Sequence, residues 1–209
     1  PGGFLKAAPE SAPLPAAAQV SGSAASAATR ILAGARALVA RGGAAGVSMG
    51  DVAAPAGVSK ALVHYHFHDK ETLLVALVDT VGADVTARER AAMDTSAASG
   101  NALDAYWGWL APELAHGDMR FLVALAECDN EGVRPASRNG GAERRRLAEE
   151  HVSLVFERLS LSPRVPARVI AETVVAFVDG LACARALDPS RDPRPAFDVL
   201  WLGFLGLAE

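Results

Sequence analysis

Two serines, three histidines and two lysines make residues 46–71 the part of this sequence with the most options for chemistry. One serine, Ser48, lies at the centre of Gly-Val-Ser-Met-Gly at residues 46–50, which matches the G-x-S-x-G pattern around a hydrolase nucleophile. That chemistry requires a strand before the serine and a sheet around it, and no strand alternation precedes Ser48. A helix-capping role explains the serine better, and we predict that the chain is not an enzyme.

The three histidines are the second option, because imidazole nitrogens bind metal ions. His64, His66 and His68 alternate along the chain. On a helix, residues two apart point to nearly opposite sides, which leaves only His64 and His68 on one face. Two ligands without a clear third make a weak site. We therefore predict no metal and no other cofactor, and keep a metal-responsive regulator as an alternative.

Helix signals divide this segment into two short helices joined by a tight turn. Ser48 can cap the first helix, with Asp51 as its capping-box partner. Gly57 can enter the left-handed conformation that a sharp turn requires, and Ser59 can cap the second helix. Upstream, residues 29–41 repeat apolar side chains on one helical face. Three helices with this turn between the last two are typical of a helix-turn-helix DNA-binding module.

Several motifs in this region occur in a fixed order. Ile-Leu-x-x-Ala-x-x-Leu is followed by Arg-Gly-Gly, Ser-Met-x-Asp-Val-Ala, Ala-Gly-Val-Ser-Lys, His-Tyr-His-Phe and Asp-Lys-Glu-x-Leu-Leu. Together they resemble the N-terminal domain of TetR-family transcriptional regulators. The resemblance is close over residues 29–75, and beyond them it extends only to length and helical pattern. It implies a repressor that dimerises on a palindromic double-stranded DNA operator and is released by a small effector.

The resemblance also implies roles for the polar residues around the second motif helix. Base contacts in the major groove are expected from Lys60, Ala61, Leu62 and Tyr65. Phosphate contacts, which position the duplex without reading it, are expected from Ser48, Ser59, His64, His66 and Lys70.

The charge balance is unusual for a DNA-binding protein, with 20 Lys and Arg against 24 Asp and Glu. Gly50 stands where the family often has a basic residue, Leu62 replaces the usual hydroxyl, and Pro55 removes a backbone hydrogen bond from the first motif helix. We expect modest, salt- and pH-sensitive affinity that relies on helix N-termini and histidines. The alternative function is a helical small-molecule-binding or scaffold protein with weak or lost DNA binding.

The apolar spacing after residue 75 is helical throughout, so we predict an all-α fold. A three-helix helix-turn-helix DNA-binding domain at 29–75 precedes a helical effector-binding and dimerisation domain at 76–209. Residues 1–28, rich in Ala, Pro, Ser and Gly, are expected to form a flexible arm. The predicted later segments are a helix over 69–90, a helix capped by Asn101, another that starts at Asp118, a mobile loop over 129–141, a helix ended by Ser162-Pro163, and helices over 166–187 and 195–207.

Aromatic and small residues mark two further candidate surfaces in the C-terminal domain. An apolar effector pocket can be lined by Trp107, Trp109, Phe121, Phe156 and Phe177, although aromatic residues at helical spacing are more often plain core. The resemblance implies a homodimer that buries Phe177, Gly180, Leu181, Phe197, Trp201 and Phe204. With only two cysteines and no apolar run of membrane-spanning length, we expect a cytoplasmic protein without a membrane partner.

Overall fold

A computed structural model describes residues 17–96 and 102–209. These residues form nine helices and no strand, and one isolated bridge joins Pro163 to Ala208. The helices, in chain order, are α1 (Ala17–Gly42), α2 (Met49–Ala56), α3 (Lys60–His66), α4 (Lys70–Ser96), α5 (Ala102–His116), α6 (Asp118–Ala126), α7 (Val133–Arg158), α8 (Ala167–Leu187) and α9 (Arg194–Leu205). The prediction of an all-α fold is confirmed. None of these helices is long and apolar enough to cross a membrane.

The first three helices pack around a small apolar core. Ile31 of α1, Val52 of α2 and Val63 of α3 are completely shielded from solvent. Gly34 lets α1 cross α2 closely, because a Cβ at that position would lie 2.9 Å from the backbone nitrogen of Ala56. The helices of the predicted N-terminal module therefore form one packed unit.

Helix α1 begins earlier than the sequence pattern indicated. The predicted flexible arm covers residues 1–28, but α1 starts at Ala17 rather than at Thr29. The added part is rich in alanine, which has the highest helix propensity, so it can be helical without an amphipathic pattern. Residues 1–16 of the predicted arm and the predicted cap Asn101 lie outside the described residues.

The prediction of a mobile loop over residues 129–141 is wrong for most of its length, because α7 begins at Val133. The side-chain oxygen of Asn130 accepts hydrogen bonds from the backbone N–H groups of Gly132 at 3.0 Å and Val133 at 3.1 Å. Val133 and Ala136 are buried. Packing of this first turn outweighs the poor helix propensity that suggested a loop.

The C-terminal helices surround a second region of the core. Helix α7 packs along both α4 and α8, and Leu77, Val152 and Val174 are among the buried residues there. Helix α4 extends past the predicted end at residue 90, and α5 continues through Pro112.

A network of charged side chains joins the N-terminal helices to the rest of the fold. Asp118, at the start of α6, bonds Arg36 of α1 and accepts from Arg88 Nη2 of α4 at 2.8 Å. Arg88 also bonds Glu113 of α5 through two nitrogens, and this hydrogen bond raises the pKa of Arg88. Asp118 and Glu113 are each only 2% exposed. The two carboxylates therefore depend on these arginines for compensation.

We predict that Asp118→Asn lowers the free energy of unfolding by about 1–3 kcal/mol, since it removes a buried charge that two arginines bond. Chemical denaturation monitored by circular dichroism measures the change. The matched control is Asp129→Asn, because Asp129 pairs with Arg134 at an exposed site, where the loss should stay within roughly 0.5 kcal/mol. Equal losses in the two variants would contradict the structural role of Asp118.

Candidate nucleic-acid interface

The turn between α2 and α3 is built by side chains close in sequence. Ser48 Oγ accepts from the backbone N–H of Asp51 at 3.3 Å and donates to the Asp51 carboxylate at 2.6 Å. Gly57 has a φ of 62°, in the left-handed region, at the end of α2. Ser59 Oγ then accepts from the backbone N–H of Leu62 at 3.2 Å. The predicted caps and turn are confirmed, and they fix the direction in which α3 leaves α2.

Helix α3 presents one face to solvent. Val63 is buried beneath it, whereas Lys60, Ala61, His64 and Tyr65 are exposed on the other side. Tyr65 is 74% exposed, which is unusual for a large aromatic side chain, and its ring contacts only the edge of the His66 ring, with 5.3 Å between centroids, among the ring pairs of the described residues. Positions spaced by four residues share a face of a helix, so these exposed residues form one continuous surface.

Three of the expected contact residues are less accessible. Leu62, a predicted base contact, is half-buried, and so are two predicted phosphate contacts, His66 and Lys70. The hydroxyls of Ser48 and Ser59 already serve as helix caps, and that of Ser48 also donates its proton to Asp51. Ser48 can thus bind a phosphate through this hydroxyl only after releasing Asp51.

Lys70 anchors the segment between α1 and α2. Its Nζ donates to the backbone carbonyl of Ala45 at 3.0 Å. An ammonium group has three donors, so two stay available for a phosphate oxygen. The sequence predicted a phosphate contact here but carried no signal for the bond to Ala45, because the two residues are far apart in the chain.

Lys60 fills space that Gly50 leaves open. A Cβ on Gly50 would lie 3.5 Å from Lys60 Nζ and 3.8 Å from Ser48 Oγ. The ammonium group therefore lies beside the N-terminus of α2, near the position where the resemblance expects a basic residue. In this way the second motif helix supplies the charge that the first one lacks.

Acidic side chains offset part of this positive charge. The Asp69 carboxylate accepts from the backbone N–H of Thr72 at 2.7 Å, and the hydrogen bonds from Thr72 lower the pKa of Asp69. Asp69 therefore stays anionic at neutral pH next to Lys70. Asp51 and Glu71 are exposed in the same region. The surface around α3 therefore contains helix N-termini but carries little net charge, as the sequence indicated.

The geometry gives little support to the two alternatives, a hydrolase nucleophile at Ser48 and a metal site at the histidines. Ser48 precedes a helix, and the described residues contain no strand to build a nucleophile elbow. Nor does the described part of the chain contain three or more His, Cys, Asp or Glu side chains grouped closely enough to hold a metal ion.

The five aromatic residues proposed for an effector pocket occupy several separate places. Phe121 lines a cavity of about 560 Å³, while Phe177 lines another, of about 480 Å³, next to α9. Trp109 and Phe156 are buried in the core, and the half-buried Trp107 packs on Phe197 with 5.0 Å between ring centroids. Most of these five aromatic residues therefore pack in the core and do not line one common pocket.

The residues proposed for dimerisation also divide into two groups. Phe197 and Trp201 are buried inside the protomer, where each ring packs against Tyr106. They therefore hold α9 against α5 and leave no surface for a second copy. Gly180 is exposed, and the half-buried members are Phe177, Leu181 and Phe204. The sequence pattern missed the two most exposed apolar side chains of α9, Val199 and Leu202.

Comparison with known proteins agrees with this geometry. Residues 31–77 match the family described as bacterial regulatory proteins, tetR family. No curated protein matches the chain.

Solved structures share the fold over most of the chain. The fatty acid degradation regulator FadR from Bacillus halodurans is 15% identical, with a TM-score of 0.70 over 85% of this chain and 94% of that chain. SmeT in complex with triclosan is 18% identical, with a TM-score of 0.68 over 86% and 91%. NalD, the secondary repressor of the MexAB-OprM multidrug efflux pump in Pseudomonas aeruginosa, is 22% identical, with a TM-score of 0.60 over 90% and 98%.

A capped helix-turn-helix within an all-α frame is the architecture of DNA-binding transcription regulators. The family match over residues 31–77 and the fold shared with the solved structures together support a TetR-family transcriptional regulator. The resemblance noted in the sequence is thus confirmed.

We predict that Lys60→Ala weakens binding to a selected DNA site by roughly 5- to 100-fold and relaxes base preference at one position, as loss of a base contact should. Fluorescence anisotropy at fixed salt measures the affinity. Arg138→Ala is the matched control, because it removes one exposed positive charge from α7. If both variants lose the same affinity at every sequence, Lys60 contributes only general charge.

Proposed function

We propose that this regulator is a cytoplasmic repressor that binds a palindromic operator as a homodimer and releases it when a small molecule occupies the C-terminal domain. We keep the domain boundaries inferred from the sequence, which are a DNA-binding domain at 29–75 and an effector-binding and dimerisation domain at 76–209. The observation that carries the proposal is the exposed face of α3, held outward by the caps at Ser48 and Ser59.

In this proposal the exposed face of α3 enters the major groove. Lys60, Ala61 and Tyr65 contact base edges directly, and the half-buried Leu62 contributes at the edge of the surface. Phosphate contacts come from Ser48, Ser59, His64, His66 and Lys70. Binding is expected to weaken as salt rises, because phosphate contacts release counterions.

Exposed apolar side chains on α9 support the homodimer. Val199 and Leu202 are 69% and 68% exposed and lie three residues apart, on one face of the helix. Gly203 of α9, Gly206 directly after α9 and Gly180 of α8 are exposed as well, and small residues let helices approach closely. A two-fold axis through this surface would give two α3 helices for two half-sites.

A cavity among the C-terminal helices supports the effector. It has a volume of about 320 Å³ and is lined by side chains from α4, α6, α7 and α8. Small-molecule sites in proteins start at roughly 300 Å³. An occupant of this space contacts α4, the helix that follows the DNA-binding module.

Selection of bound fragments from random double-stranded DNA tests the proposed function. Recovery of a palindrome is the expected result, since a two-fold dimer presents the same helix twice. Recovery of no sequence at low salt would favour the alternative, a helical small-molecule-binding protein with lost DNA binding. The acidic side chains of Asp51, Asp69 and Glu71 beside α3 are the observation in favour of that alternative.

We predict that Leu202→Glu converts the dimer into a monomer, because it places a charge in the proposed apolar interface. Sedimentation velocity measures the mass, and circular dichroism shows that the helices remain. Leu159→Glu serves as the control, since Leu159 is 47% exposed just after α7 and outside the α8–α9 surface. A dimer that survives Leu202→Glu, or a wild-type monomer at micromolar concentration, would refute this interface.

A further inference from the structure

The cavity among α4, α6, α7 and α8 has an unusual origin. Two glycines in helix interiors, Gly82 of α4 and Gly140 of α7, line it, and a Cβ on either would have no atom within 4 Å. Glycine inside a helix is less favourable than alanine by roughly 1 kcal/mol, so nothing in the packing of the protein itself requires these two residues. Their effect on the fold is to leave the cavity open.

Polar groups lie at one side of this cavity. Arg144 Nη2 is 2.8 Å from Asp179 Oδ1, and the Arg144 side chain is only 11% exposed. A guanidinium group has five N–H donors, and Asp179 is its one ion-pair partner among the described residues. Ser137 Oγ, which also lines the cavity, is buried and has no hydrogen-bond partner there. A buried hydroxyl without a partner is rare and calls for a ligand or water.

The charges around the cavity favour an anion. Asp179 Oδ1 lies 2.8 Å from Arg144 and Glu127 lies 3.7 Å from Arg120 Nη1, and these contacts offset charge without forming hydrogen bonds. Arg145 folds back at the mouth, where a Cβ on Gly141 would be 3.3 Å from its Nη1, and no ion pair is formed by Arg145 within the described part of the chain. One uncompensated positive charge therefore remains beside a buried hydroxyl donor.

The opposite wall is apolar. Val78 of α4 is buried, and Leu122 and Val123 of α6 are half-buried at the cavity surface. A ligand that fits both walls has a compact apolar body and a single acidic group.

We propose that this cavity binds a small monocarboxylate, with the carboxylate accepting hydrogen bonds from Arg144 and Ser137 and the apolar body lying against Val78 and Leu122. This inference rests on the proposed function and makes it more specific, since the sequence pattern alone suggested an apolar effector. Guanidinium and hydroxyl donors match a carboxylate, and charge-assisted hydrogen bonds of this kind are strong. The cavity should bind the matching amide more weakly than the acid, because the amide carries no negative charge.

Isothermal titration calorimetry of the full chain without DNA tests the ligand class. The probes are matched sets with one skeleton each: benzoate, benzamide and benzylamine, then hexanoate, hexanamide and hexylamine. We expect at least one acid to bind, with affinity roughly tenfold or more above its amide, and no binding of the amines. Binding of an amide or amine in preference to the acid overturns the proposal, as does a set in which no acid binds.

Variants locate the binding site. Ser137→Ala should lower the affinity for the acid by roughly tenfold. Gly140→Leu should abolish binding because its side chain fills the cavity, while the thermal unfolding midpoint stays equal or rises. Arg146→Gln is the control, because Arg146 is an exposed arginine of α7 that pairs with Glu143 and Glu150. Undiminished binding to Gly140→Leu would place the acid elsewhere and refute the site.

A second readout separates this inference from the proposed function. An acid that binds the cavity and leaves the selected operator bound supports the ligand class and refutes effector-driven release. An amide or amine that binds and releases the operator supports release and refutes the ligand class.

Discussion

Two buried carboxylates fix how the helices of this fold meet. Asp118 and Glu113 are nearly completely buried, and the guanidinium groups of Arg36 and Arg88 compensate their charge. A buried carboxylate without such partners costs several kcal/mol, so the helices that carry these residues are fixed where the charges meet. Since Arg36 belongs to α1, which packs on α2, this constraint also sets how the helix-turn-helix sits on the C-terminal helices.

Helix α6 connects that network to the cavity. Asp118 lies at its first turn, and Leu122, one turn later, lines the space proposed for the effector. An occupant that moves α6 would act on the Asp118–Arg36 contact and, through α1, on the proposed DNA-reading surface. Coupling of this kind is reciprocal, so operator binding would weaken effector binding by the same factor. This charge network is the physical path that we propose for the release.

Much of the DNA-binding module could be predicted from sequence because its determinants are local. Ser48 bonds Asp51, Ser59 bonds Leu62, and Gly57 takes its left-handed conformation within the same short stretch. A cap or a turn involves residues three or four apart, so their spacing is sufficient. The loop predicted over 129–141 failed for the opposite reason, since burial of Val133 against other helices overrides weak local propensity.

The sequence by itself determined the helical class, the helix-turn-helix and the face of α3 that points to solvent, because helical periodicity and capping are set by neighbours in the chain. Only the tertiary structure decided which aromatic residues are core and which faces stay open. Phe197 and Trp201 pack on Tyr106 inside the protomer, and Arg144 meets Asp179 from another helix. Such contacts depend on how distant helices cross, which is fixed by their close-packed surfaces and, for some helices, by buried charges.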